Sequence, residues 1–327
     1  MSNTGSCTQS VSVAANKCTD ASGNGNTASN TLSMTIDRTA PTVKLSVTNQ
    51  TCTSFTINIT SAADNSGGVG LHSTSAYAFK ISGGSWQGGG YISNKSCTFS
   101  NLTASTSATS YSIVVRVRDA LGNYSDTTIT ASTLAAVAQI TNTGAYYPSI
   151  QEAVNAQNTS DIKLLVNRNE SVTVSSGKTI VFNFNGKTWN CNGSSTVLIN
   201  RGTVSTTGSG VIDGSKTTGS SIYNTGHLEL NTGLTIQKYI EGWNINSNDG
   251  TLILRGAELY FDGMKDINGN DGENNGTSCM ITGGNFYMYS GTIKSTAFGL
   301  VSDGDNTTSI TYGGKIIADN NIRNKTG

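Results

Sequence analysis

Apolar residues in the second half of the chain recur at an interval of 24 positions. One column of this repeat, with a single longer step after Leu252, consists of Ile180, Val204, Leu228, Leu252, Phe286 and Ile310. A second column, two positions further on, consists of Phe182, Thr206, Leu230, Leu254, Met288 and Tyr312. Equivalent apolar positions at such a period are typical of stacked coils, which bury them against one another. Both columns are therefore predicted to point inward.

Asparagine and glycine follow the same interval just before each predicted strand. The asparagines are Asn200, Asn224 and Asn248, and a glycine stands two residues after each of them. Asparagine tolerates left-handed backbone angles, and stacked amides hydrogen-bond between coils. We expect the three asparagines to form one column in a turn. The repeat as a whole predicts a parallel β-helix.

One segment predicts an α-helix, at 149–157. Ser149 and Glu152 have the spacing of a capping box, and Ile150, Ala153 and Val154 supply an apolar face. We expect this helix to cap the start of the β-helix.

The first half of the chain has period-two alternation instead. It is clearest at 55–59 and 111–117, and several such runs within about 90 residues favour a β-sandwich. The phrase Asp-x-x-Gly-Asn occurs twice, at 20–24 and 119–123. An aspartate that caps a turn and a glycine with positive φ predict a tight hairpin at both places.

Four features of this half resemble immunoglobulin-like or fibronectin-type-III-like modules of bacterial surface proteins. They are the linker Asp37–Val43, the runs 64–70 and 81–86, and the Asp-x-x-Gly-Asn hairpin. The resemblance covers about 41–135 and implies that 37–136 is one complete module. It also implies that 1–36 holds the last strands of a preceding module in a longer protein.

The segments 180–188 and 221–228 resemble the pectin-lyase-like β-helices of Gram-positive surface proteins and of phage tail proteins. This second resemblance covers about 140–327 and implies that 137–327 is a parallel β-helix that continues beyond the chain. The expected fold class is all-β: immunoglobulin-like sandwich modules followed by a β-helix with a short N-terminal capping helix.

Charge is sparse and balanced: 20 Lys and Arg against 20 Asp and Glu, only 12% of all residues. The chain therefore has no basic stripe for nucleic acid and no polybasic patch for an anionic membrane. No apolar run reaches about 18 residues, so we expect no membrane insertion in this segment. Residues 1–5 do not have the pattern of a secretory peptide. The resemblances imply an extracellular location, at a bacterial cell surface or secreted.

Six cysteines stand at wide spacings without a C-x-x-C pair, which argues against structural zinc and against a disulfide scaffold. Cys52 and Cys97 open neighbouring antiparallel strands, and therefore lie at opposite edges of the sheet. We expect no disulfide between them.

Residues 24 apart should lie one above another, which allows a search for catalytic carboxylates. Asp213 is expected under Gln237 and Phe261, and Asp262 above Lys238 as a surface ion pair. Glu229 is expected between Ser205 and Ile253. No two carboxylates fall at one position of neighbouring coils, whereas glycoside hydrolysis needs a pair.

An insertion into the longer step approaches a calcium loop, with oxygen-bearing side chains close together and Asp271 where the pattern has glycine. Its candidate ligands are Asp266, Asn268, Asn270, Asp271 and Glu273. Calcium is the only cofactor that the sequence suggests, and a solvated loop is the alternative. Trp86, Trp189 and Trp243 are candidate platforms for sugar rings, or caps of loops and coil corners.

The function that these features favour is non-enzymatic: a rigid stalk of an adhesin-like surface protein that displays a glycan- or protein-binding face. The partner would be a host or environmental glycan or a surface protein. A polysaccharide lyase or glycoside hydrolase of pectin-lyase-like fold is one alternative, and a phage tail-fibre segment is another.

Overall fold

The computed structural model describes residues 6–193, 195–240, 242–262 and 276–325. Within these ranges the regular secondary structure is almost all β-strand, as predicted, with one α-helix and one 3₁₀ turn. Internal contacts divide it into two compact units, the first ending at Leu134 and the second beginning at Ala135, except that Ala104–Ser107 group with the second. That 1–36 is the tail of a preceding module stays a prediction.

The first unit contains three antiparallel sheets. Its strands are β1 (Cys7–Val11), β2 (Leu32–Ile36), β3 (Thr42–Thr48), β4 (Phe55–Ala63), β5 (Tyr77–Ile81), β6 (Ser96–Phe99), β7 (Ser110–Arg118) and β8 (Tyr124–Ser132), with a 3₁₀ turn at Gln87–Gly89. Strands β1 and β2 pair with each other. Strands β3-β4-β6 form one three-stranded sheet and β5-β7-β8 another.

The two three-stranded sheets share one apolar core. Phe55 and Ile57 from one sheet and Phe79 and Val115 from the other are fully buried in it. Alternate residues of these strands point to the core because successive side chains of a strand face opposite sides. Cys97 lies opposite Ile57 of β4, whereas Cys52 precedes that strand. No disulfide joins any of the six cysteines, all of which lie in the described ranges.

Both predicted hairpin turns are present, with the same hydrogen bonds. Asp119 Oδ1 accepts from the backbone N–H groups of Leu121, at 2.8 Å, and Asn123, at 2.9 Å. Gly122 supplies the positive φ of 94° that the turn requires. Asp20 and Gly23 repeat this arrangement between β1 and β2.

The second unit is a parallel β-solenoid of about six coils with about 24 residues per coil. Its elements are β9 (Ala138–Ile140), β10 (Ala145–Tyr147), α1 (Ile150–Ala156), β11 (Thr159–Leu164), β12 (Arg168–Asn169), β13 (Val172–Val174), β14 (Thr179–Asn183), β15 (Lys187–Asn190), β16 (Leu198–Asn200), β17 (Thr203–Thr207), β18 (Gly210–Asp213), β19 (Ile222–Asn224), β20 (His227–Asn231), β21 (Leu234–Lys238), β22 (Gly242–Asn248), β23 (Thr251–Phe261), β24 (Gly276–Thr311) and β25 (Lys315–Lys325). Each strand from β11 onward pairs in parallel with the strand one coil away.

The first predicted core column is present through five coils. Strand register places Ile180, Val204, Leu228, Leu252 and Phe286 one above another, and all five are fully buried. The prediction is wrong for Ile310 and Tyr312, which are 38% and 64% exposed. The register of β25 against β24 extends only to Asp303, so no described strand packs over Ile310.

The predicted capping helix is also present as α1. Ser149 Oγ accepts from the Glu152 N–H at 3.1 Å, and Ile150, Ala153 and Val154 are buried. The carboxylate of Glu170 accepts from two further N–H groups of the first turn, at 3.0 and 2.9 Å. A negative charge there is favourable because the N-terminal N–H groups of a helix lack partners within it.

The asparagine column is correct for its first two members and wrong for the third. Asn200 stacks on Asn224, but Ser247 lies in the next coil where Asn248 was expected. The reason is local: Ile222 pairs with Ile245, so this coil is one residue short of the 24-residue period. Asn200 and Asn224 do not have positive φ; each instead accepts from the N–H of the glycine two residues later.

A second shortening by one residue, between Arg255 and Glu258, overturns the predicted ion pair between Lys238 and Asp262. Lys238 stacks on Phe261 and is fully buried, and Asp213 and Gln237 are followed in their column by Tyr260 rather than Phe261. Lys238 Nζ donates to three backbone oxygens inside the solenoid, those of Gly214, Thr217 and Gly219. Its role is to satisfy the carbonyls of one buried turn.

Candidate functional site

Three aspartates meet at one end of the first unit. Asp37 directly follows β2, Asp64 directly follows β4, and Asp119 directly follows β7. Each offers a carboxylate oxygen, and these three oxygens lie within 4.8 Å of one another. Asp37 is 6% exposed and Asp119 is fully buried. We call this group the aspartate triad.

Neutral N–H and O–H groups hold the triad. Asp37 Oδ2 accepts from the N–H of Val69 at 2.9 Å, and Asp64 Oδ2 accepts from the N–H of Gly70 at 2.8 Å. Hydrogen bonds lower the pKa of Asp37. The largest contribution comes from the Ser6 hydroxyl, and backbone N–H groups contribute less. Two like charges about 4 Å apart repel by about 4 kcal/mol at an effective dielectric constant of about 20. Among the described residues, no lysine or arginine forms an ion pair with the triad.

A fourth oxygen, from the side-chain amide of Asn65, lies close to the carboxylates of the triad. The Oδ1 atom of Asn65 has less than 1 Å² of exposed surface and no hydrogen-bond partner. A side chain built on Gly68 would place its Cβ 2.6 Å from Asp64 Oδ2, 2.7 Å from Asp37 Oδ2 and 2.8 Å from Asn65 Oδ1. Three oxygens therefore converge beside the Cα of Gly68, in space that only glycine leaves open. Such a set of oxygens can hold a hard cation.

Sequence reasoning missed this triad. Each of its aspartates lies in a segment that resembles a surface module, but nothing in the linear pattern says that the three segments meet. The sequence contains one feature that could have indicated it: an aspartate stands directly after the first hairpin, after β4 and after β7. The calcium ligands predicted at Asp266, Asn268, Asn270, Asp271 and Glu273 lie outside the described residues, and that prediction stays open.

The outer face of the solenoid carries isolated carboxylates. One outward column contains Ser205, Glu229, Ile253 and Tyr287, as predicted for its first three members. Another contains Asp213, Gln237, Tyr260 and Lys294. In these two columns no carboxylate lies directly above another.

Exposed tyrosines are the most prominent feature of this face. The rings of Tyr289 and Tyr312 stack at 4.9 Å with an interplanar angle of 13°. The guanidinium of Arg255 lies 4.3 Å from the Tyr289 ring centre, and its Nε lies 3.1 Å from Glu229 Oε1. Tyr312 is the most exposed of the group, at 64%. We call Glu229, Arg255, Tyr289 and Tyr312 the tyrosine column.

The tryptophans do not share this position. Trp189 is fully buried against Phe182, and its Nε1 donates to the carbonyl of Glu170, so it is a core residue and not a sugar platform. Lys80 and Arg116 lie over the ring of Trp86, at 4.5 and 4.9 Å. Trp243 is 38% exposed on β22.

In the part of the chain that the structure describes, no helix is long and apolar enough to cross a membrane. Comparisons with family models, with curated proteins and with solved structures found no match. The parallel β-solenoid is therefore established by the strand register of this chain alone.

Proposed function

We propose that the chain is a non-enzymatic segment of a bacterial cell-surface or secreted protein, in which a pectin-lyase-like β-helix displays a glycan-binding face. Immunoglobulin-like modules would precede it as part of the same stalk. The single observation that carries the proposal is the tyrosine column, which exposes aromatic rings beside a guanidinium and a carboxylate.

The chemistry of the column suits a sugar. Tyrosine combines an apolar ring with a polar hydroxyl, so it can pack on the C–H face of a sugar and hydrogen-bond to its hydroxyls. Arg255 covers one face of the Tyr289 ring and Tyr312 stacks on it, which leaves the exposed ring of Tyr312 as the contact surface. Arg255 and Glu229 supply a donor and an acceptor close by.

The solenoid holds this surface in place before a ligand arrives. Successive coils are about 4.8 Å apart, which matches the 4.9 Å between the stacked rings of Tyr289 and Tyr312. A preformed surface loses little conformational entropy on binding. With few charges overall, recognition would depend on shape and hydrogen bonds more than on electrostatic steering.

A polysaccharide lyase or hydrolase is the competing function. Hydrolysis of a glycosidic bond needs two carboxyl groups at a set separation, and lyase chemistry needs a base beside a cation. Glu229 is the carboxylate of the tyrosine column, and it is paired with Arg255. A carboxylate held in an ion pair with an arginine is poorly suited to act as a general acid, which favours binding over turnover.

The test is a panel of acidic and neutral polysaccharides, with binding and product formation measured on the same samples. We expect retention of at least one glycan, no growth in reducing ends or unsaturated products, and loss of retention in Tyr312→Ala. Tyr146→Ala is the matched control, because Tyr146 is also exposed but lies outside the column. Sustained product release, or retention that Tyr312→Ala leaves unchanged, would contradict the proposal.

A further inference from the structure

We propose that the aspartate triad, together with Asn65 Oδ1, is a binding site for one calcium ion. The site lies in the first unit and is independent of the glycan-binding proposal, which concerns the solenoid. It uses none of the candidate calcium ligands at 266–273.

The buried amide oxygen of Asn65 is the observation that takes this group beyond an acidic cluster. The other end of the same amide is satisfied, since Nδ2 donates to Ser6 Oγ at 3.0 Å. Its Oδ1 is left without a donor and faces the same point as Asp37 Oδ2 and Asp64 Oδ2. A buried carbonyl oxygen without a partner is unfavourable, and three close carboxylates repel one another. A bound cation relieves both.

The ligand set favours calcium over other cations. All of the converging atoms are carboxylate or amide oxygens, which calcium prefers, and no sulfur or imidazole is among them. Calcium accepts irregular sets of oxygens at about 2.3–2.6 Å, so two oxygens that share it can be up to about 5 Å apart. The triad oxygens, within 4.8 Å of one another, meet that limit. Magnesium demands a tighter octahedron at about 2.0–2.1 Å and keeps most of its waters.

A cation here would fasten separate parts of the chain together. Asp37 belongs to the linker after β2, Asp64 and Asn65 to the loop after β4, and Asp119 to the turn after β7. Ser6, next to β1, also donates to Asp37. Calcium would therefore hold the base of the β1–β2 hairpin against the two larger sheets and protect the linker, including the exposed Arg38.

The experiment measures calcium binding by calorimetry, and the melting temperature of the first unit in calcium and in EDTA, on the full chain and four variants. Asp64→Asn removes one charge of the triad, and Gly68→Ala fills the space between its oxygens while keeping every charge. Asp20→Asn is the matched control, because Asp20 caps the same type of turn but is not part of the triad. Asp266→Ala with Asp271→Ala removes two candidate ligands of the other loop.

We expect calcium to raise the melting temperature of the unaltered chain by at least about 5 °C at saturation. Asp64→Asn and Gly68→Ala should each abolish that rise, whereas Asp20→Asn and the double loop variant should retain it. In EDTA, Asp64→Asn should melt no lower than the unaltered chain, since removing a charge relieves repulsion. This result also shows that the variant folds. Calcium should in addition slow tryptic cleavage after Arg38, and magnesium should do so less.

Three outcomes would overturn the site. One is no calcium binding by the unaltered chain up to about 10 mM, which is beyond the weakest extracellular modules. The others are binding that survives both Asp64→Asn and Gly68→Ala, and binding that disappears only in the double loop variant.

Discussion

The side-chain amide of Asn200 donates a hydrogen bond of 2.8 Å to Oδ1 of Asn224, one coil further along the solenoid. Both residues are fully buried. Asn224 in turn donates to Ser247 Oγ at 3.0 Å and to the Thr251 carbonyl at 3.2 Å. These hydrogen bonds connect three coils through their interior.

The glycines beside this column are required for the coils to approach. A Cβ on Gly226 would lie 2.1 Å from the carbonyl oxygen of Gly202, and one on Gly250 would lie 2.8 Å from that of Gly226. The same carbonyls accept the N–H groups of His227 and Thr251, both at 2.8 Å. The recurring glycine is therefore a consequence of backbone contact between coils.

Replacing Asn224 should destabilise the solenoid strongly. Asn224→Ala removes four hydrogen bonds and leaves buried partners unsatisfied, and we expect a loss of about 3 kcal/mol in the free energy of unfolding. Asn248→Ala is the control, since Asn248 lies outside the column, and should cost less than about 0.5 kcal/mol. Urea denaturation followed by tryptophan fluorescence measures both. Equal losses for the two variants would place Asn248 in the column after all.

Lys238 offers a second comparison. Lys238→Met keeps most of the buried volume but removes the donors to the carbonyls of Gly214, Thr217 and Gly219, and we expect a loss of at least about 2 kcal/mol. Asp262→Asn should change stability by less than about 0.5 kcal/mol. The same denaturation measurement applies. A small effect of Lys238→Met, with a similar one for Asp262→Asn, would instead favour the surface ion pair expected from the sequence.

The sequence predicts the repeating part of this molecule well because the solenoid is built from contacts between equivalent positions. The columns from Ile180 to Phe286 and the cap of α1 follow from periodicity and local chemistry. A fixed period fails where a corner loses one residue, as it does before Ile245 and again between Arg255 and Glu258. The positions that follow then lie one place away from the column that the period predicts, until another corner restores the period, as happens before Leu252. The first change misplaced Asn248, and the second gave Lys238 the neighbour Phe261 instead of Asp262.

The candidate sites were harder to predict for a different reason. The three aspartates of the triad are far apart in the sequence, and only the folding of two sheets brings them together. Tyr312 was assigned to the core because it is large, apolar and in register with Met288. In the structure its ring instead stacks on the exposed ring of Tyr289, which is not in the predicted column, and a 24-residue period does not reveal that contact.

The lowered pKa of Asp37 predicts a loss of stability in acid. Hydrogen bonds from Ser6 and from backbone N–H groups depress this pKa in the folded state. The carboxylate therefore stabilises the first unit above the ordinary pKa of about 3.9, and this contribution is lost as the pH falls through the folded value. The difference in melting temperature between the unaltered chain and Asp37→Asn, in EDTA, should be constant above about pH 5 and shrink below about pH 4. A difference that persists in strong acid would contradict this.

The cysteines should differ widely in reactivity. Cys18 is exposed, whereas Cys279 is fully buried and burial raises its pKa, as it does for Cys97 and Cys191. Because the thiolate is the reactive form, Cys18 should react with a thiol reagent at once and Cys279 only after unfolding. Denatured, unreduced protein should yield at least four thiols. Two or fewer would mean that disulfides form and that the strand arrangement around Cys52 and Cys97 is wrong.

The central claim is that the tyrosine column binds a glycan, and calorimetric titration with the glycan that the panel retains tests it most directly. We expect Tyr312→Ala to weaken the dissociation constant by at least about tenfold, equivalent to about 1.4 kcal/mol, and Arg255→Ala to weaken it as well. Tyr146→Ala should bind as the unaltered chain does. If Tyr312→Ala and Arg255→Ala bind with unchanged affinity, the glycan contacts another surface and the account of the column is wrong.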